Sequence, residues 1–104
     1  MKKRKQKKAK TSKPTVGVGW YREDQWSLLL EHSADRDDLE ATYAEWLDIA
    51  HKSMRDLSGT GIQLVKIPID VEELVQWCQE KGYQVDGNSR SEFITLKTRE
   101  KFSG

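Results

Sequence analysis

The chain has 104 residues, 34% of them charged and 36% hydrophobic, with a single cysteine and a formal net charge of +1. That length has room for one domain, and lone Cys78 excludes an intramolecular disulfide and suits a reducing compartment. No run approaches the ~20 consecutive apolar residues of a membrane-spanning helix, and no apolar segment follows the basic N-terminus as a secretory signal would require.

The small net charge hides a division. Residues 1–13 contain eight of the eighteen Lys and Arg (Lys2, Lys3, Arg4, Lys5, Lys7, Lys8, Lys10 and Lys13) and no acid. The other ten cations face all seventeen Asp and Glu, so residues 14–104 carry a formal −7. We therefore expect a disordered basic arm over residues 1–15, too charged and too poor in apolar groups to fold alone. Residues 16–104 should form a single small α+β domain.

Along that domain, Val16-Gly17-Val18-Gly19-Trp20-Tyr21 alternates β-branched and aromatic residues with glycine, and predicts a short strand. Glycines in a strand imply close approach of another segment. Arg22 to His32 predicts a helix with Trp26, Leu29 and Leu30 on one face. Asp37 with Glu40 has the spacing of a capping box, and Leu39, Tyr43, Trp46, Leu47, Ala50, Met54 and Leu57 then trace one helical stripe. Gly59 and Gly61 turn the chain into a second strand, Ile62 to Ile69, where Pro68 places that end at a sheet edge or beyond the pairing.

Asp70 with Glu73 opens a helix to about Lys81, burying Val71, Leu74, Val75 and Cys78, and Gly82 stops it. Ser89 with Glu92 predicts a last helix reaching Phe102. The expected order is β-α-α-β-α-α: a mostly helical α+β fold with a small parallel two-stranded sheet packed on helices. So thin a sheet leaves the core to helix packing, and pairing between copies through an edge strand is one way to complete it.

Gly19-Trp20-Tyr21, Gln25-Trp26, Tyr43-Ala44-Glu45-Trp46-Leu47 and Leu74-Val75-Gln76-Trp77-Cys78 together resemble a group of short uncharacterised bacterial proteins, which share a GWY strand start, an EWL helix and a late WC helix. The resemblance covers roughly residues 16–102. It implies a bacterial cytoplasmic protein and brings no site residue with it.

Candidate chemistry is sparse. Lys and Arg clusters neutralise phosphates without reading sequence, so the eight arm cations are candidate contacts to nucleic acid, a ribosome or another polyanion. The arm has no interleaved aromatics on which single strands could stack. His51 follows Asp48 by three residues on one helix, a pairing that can orient an imidazole, and Cys78 is a conceivable nucleophile. The ordinary readings are a surface ion pair and a small buried hydrophobe. His32 suits a helix C-terminus. Asp35, Asp37, Asp38 and Glu40 lack the order of a calcium loop, and the glycine pairs lack the phosphate-cradle motifs. The four Trp are expected in the core or at its boundary, with a partly exposed aromatic cluster as an alternative partner surface.

These residues point to a non-enzymatic binding or accessory protein with no metal and no cofactor. Its acidic body would engage a protein partner or a second copy. The competing expectation is a small enzyme built on His51 and Asp48.

Overall fold

The structure is a computed structural model and describes residues 14–102; the arm's eight cations lie outside the described residues. Two strands, β1 (Thr15–Trp20) and β2 (Gln63–Pro68), pair in parallel. The helices are α1 (Trp26–His32), α2 (Tyr43–Leu57), α3 (Val71–Lys81) and α4 (Gly87–Phe102). The expected mostly helical α+β architecture and element order are therefore present. No described helix is long and apolar enough to cross a membrane.

The parallel register sets Thr15 opposite Gln63 and Trp20 opposite Pro68. Side chains alternate across the sheet, so Val16, Val18 and Trp20 share a face with Leu64 and Lys66. Trp20 there meets the rings of Trp46 and His51 on α2, at centroid distances of 5.3 and 5.5 Å. The opposite face, with Gly17, Gly19, Val65, Ile67 and Ile69, packs under α4. Phe93, Leu29, Leu74, Val71 and Cys78 are its most deeply buried neighbours.

The α3 helix is built as the sequence implies. Asp70 caps it by accepting from the Glu72 and Glu73 N–H groups, and Gly82 ends it in the left-handed conformation at φ 74°. The Asp70 capping box is only half made, because the Glu73 carboxylate pairs with Lys97 of α4 instead. Gln25 stitches this helix start to the short 3-10 turn (Glu23–Gln25) that precedes α1. Its Oε1 accepts from Val71 N–H at 2.8 Å, and its Nε2 donates to Asp70 at 3.2 Å.

Two helix starts differ from expectation. Asp37 and Glu40 do not cap α2; Asp37 lies in a single 3-10 turn, Arg36–Asp38, and the helix opens at Tyr43 behind a Thr42–Glu45 capping box. The backbone between them is diverted because the Glu40 carbonyl accepts from the Trp26 indole N–H at 3.1 Å. Likewise Ser89 is not an N-cap. Asp86 caps α4 by accepting from Ser89 N–H, and the Ser89 hydroxyl accepts from Asp86 N–H, each at 3.0 Å. Glu92 is exposed and takes no part.

Candidate binding groove

The feature most able to hold a partner lies where β1 meets α4. Pro14 carbonyl accepts from Gln63 N–H, and Trp20 carbonyl accepts from Ile69 N–H. In a regular parallel ladder this phase turns the N–H and C=O groups of even-numbered β1 residues towards β2. Those of Thr15, Gly17 and Gly19 therefore point to the other edge, where no strand pairs with them among the described residues.

The outer edge of β2 is different. Its outward groups belong to Leu64, Lys66 and Pro68, so a charged side chain and a missing donor blunt it. Both are common means of protecting a sheet edge. Outward-facing Pro68 also removes nothing from the ladder with β1. The β1 edge has neither protection.

Helix α4 runs antiparallel to β1 and very close to it. A Cβ built on Gly17 would stand 1.9 Å from Thr98 Oγ1, and one on Gly19 would stand 2.5 Å from Ile94 Cδ1. The strand glycines are thus the places where α4 side chains rest on the backbone. Between the open edge and the helix runs a groove of about 800 Å³. Thr15, Val16, Gly17 and Tyr21 line the strand side, while Ser91, Ile94, Thr95, Thr98, Arg99 and Phe102 line the helix side. Val16 and Phe102 are among the most exposed large apolar side chains of the body, at 44% and 55%.

The inner end of the groove is an ion-pair lock. Arg90 donates two hydrogen bonds to the Asp35 carboxylate, at 2.8 and 2.7 Å, and a third to the Ser33 hydroxyl at 3.2 Å. Asp35 is thus more than a solvated loop acid. The Arg90 hydrogen bonds hold its carboxyl below the usual range, and although burial opposes the Arg90 charge, Asp35 together with Tyr21 and Asp86 more than offsets it. Beside this pair sits Tyr21, only 8% exposed. Desolvation raises its hydroxyl's pKa, and the Arg90 charge partly offsets that. The Tyr21 hydroxyl has no hydrogen-bond partner among the described residues, an uncommon condition for a buried polar group. At the outer end, exposed Arg99 has no ion pair among the described residues. Among the described residues, the two arginines are the only charged side chains lining the groove.

The residues singled out for catalysis are placed elsewhere. His51 and Asp48 are exposed on α2, with His51 stacked beside Trp20, whereas Cys78 is sealed in the core at 1% exposure. The structure does not bring these three into the groove. His32 is exposed at the end of α1. No cluster of three or more His, Cys, Asp or Glu suited to a metal occurs among the described residues. The tryptophans are buried or half-buried: Trp20, Trp26 and Trp46 form one network with Tyr21 and Tyr43, and Trp77 packs on Tyr83 and Phe93. Of the groove residues, sequence reasoning singled out only the glycines, through their implied close approach. Arg90, Asp35 and Tyr21 meet through contacts too distant in sequence to be signalled.

Comparison of the chain with known protein families, with curated proteins and with solved structures finds no match.

Proposed function

We propose that this chain is a non-enzymatic binding module of the bacterial cytoplasm. Its basic arm contacts nucleic acid or another polyanion without sequence specificity, and its acidic body engages a protein partner at the β1–α4 groove. The observation that carries this reading is the unprotected edge of β1 beside a roomy, largely apolar groove, since exposed strand edges recruit further chain. The charge division supports separate tasks: a body of −7 repels phosphate, and an arm of +8 attracts it. The lone cysteine, buried and free, suits a reducing cytoplasm.

The test of the arm is binding to duplex and single-stranded nucleic acid across a salt series. The full chain is compared with a full-length variant in which the eight arm cations are replaced by Gln. Counterion release makes binding by the native chain fall steeply with salt, and the neutralised arm should abolish that slope. Equal, weak binding by both proteins overturns the arm's role.

A further inference from the structure

The groove's own chemistry restricts what fills it. Three observations, independent of one another, point to an extended acidic peptide. The first is the backbone. Thr15, Gly17 and Gly19 turn their N–H and C=O groups to the open side of β1, a template that an added strand satisfies. The second is Tyr21, a residue more than nine-tenths buried that lines the groove and whose hydroxyl lacks a partner among the described residues. It is a donor waiting for a carbonyl or carboxylate.

The third is charge. In a body of −7, the charged lining of this groove among the described residues is entirely arginine. Arg90 is neutralised by Asp35, but Arg99 has no ion pair among the described residues. The arm also joins the body at Pro14–Thr15, the same end of the groove as Arg99 and Phe102, which argues against the chain's own cationic arm as the occupant. Arg90 and Arg99 stand nine positions apart on α4, about 13 Å along a helix. That is room for about four residues of extended chain.

Resting on the proposed role of the groove as a partner site, we infer that it binds an extended acidic segment of a partner protein, which adds to the open edge of β1 as a third strand. Arg99 takes an acidic side chain of that segment, and the Tyr21 hydroxyl donates to an oxygen of the strand. Ser91 and Thr95, both small, leave the space it fills.

The probe is a fluorescein-labelled peptide of four Val-Glu repeats, offered to the full-length, isotope-labelled protein. Anisotropy reads affinity and amide chemical shifts read location. The Val-Glu peptide should move the amides of Thr15, Gly17 and Gly19. A Pro-Glu peptide of the same charge, which lacks strand donors, should bind at least about tenfold more weakly. Thr15→Pro deletes an outward N–H without touching the ladder to β2 and should weaken binding by about tenfold. Arg99→Gln should do the same, with Arg99→Lys restoring most of it. Tyr21→Phe should lose a few-fold, the effect of one hydrogen bond.

Four results would overturn the inference. Groove amides that stay still while binding vanishes with the neutralised arm would mean the arm alone holds the peptide, and the arm's proposed role would survive. Equal groove shifts with a Val-Lys peptide would retain the groove and reject its acidic preference. Shifts of the same amides on adding a single-stranded oligonucleotide would assign the groove to nucleic acid. Shifts that depend on protein concentration without peptide would assign it to a second copy.

Discussion

Gly17 lies directly beneath Thr98: a Cβ at position 17 would come within 1.9 Å of the Thr98 hydroxyl oxygen and 3.1 Å of its Cβ. Thr98 has little freedom to retreat, because its hydroxyl donates to the Ile94 carbonyl at 2.7 Å. The distance between α4 and β1, and hence the width of the groove, is set by this contact and by Ile94 over Gly19.

Gly17→Ala should therefore destabilise the fold by about 2 kcal/mol through overpacking. Thr98→Ala removes the closest obstacle, so the double variant should be less destabilised than the sum of the singles. Urea unfolding of the four proteins of the cycle measures this coupling. Strict additivity would show that the two residues do not restrain each other.

Arg90→Met should cost about 2 kcal/mol, since it leaves the Asp35 carboxylate and the Ser33 hydroxyl without their donor; the half-buried Asp35 retains some water, which tempers the loss. The pH dependence follows from the lowered Asp35 pKa. The native value lies below the ordinary 3.8, so the contribution is complete above the ordinary value and disappears as pH falls through the native one. Denaturant unfolding at several pH values should show the gap between wild type and Arg90→Met steady above about pH 5 and closing below about pH 4.

Gln25→Leu should cost about 2 kcal/mol, because the buried Val71 N–H loses its acceptor and Asp70 loses a donor. The Asp70 carboxyl is held low first of all by that Gln25 hydrogen bond, so its pKa should rise in the variant, as carbon-detected NMR titration would read. An unchanged Asp70 titration would contradict the assigned bond.

Cys78 is buried at 1% exposure. A thiol reagent of aromatic disulfide type should label it only when the core opens, at a rate that increases with denaturant. Rapid labelling of the native protein, as fast as that of the unfolded chain, would contradict its placement.

How much of this was legible in the sequence depended on whether a signal was local. Helix α3 was readable because its cap, apolar face and glycine stop all lie within 13 residues, from Asp70 to Gly82. The start of α2 was not, since Asp37-Glu40 and Thr42-Glu45 offer the same capping spacing on one segment. The choice is made by Trp26, whose indole reaches the Glu40 carbonyl from 14 residues away. Nothing in the sequence marks out Arg90, because its partner Asp35 is 55 residues distant. The weak apolar register of α4 has the same origin: the helix buries Ser89 and Arg90 along with Phe93. Gly17 and Gly19 did announce that something packs closely on β1, though nothing local names Thr98 and Ile94 as the residues involved.

Lys66 and outward-facing Pro68 on one border of the sheet, and bare backbone on the other, make it a surface that grows in a single direction. A strand seated on β1 meets no second template across β2, so the sheet is extended on one side only. If two copies met through β1, they would close on each other and leave only blunted borders outside. Pro68, lacking an outward donor, thus works against fibrous stacking at that border, while the opposite border stays open.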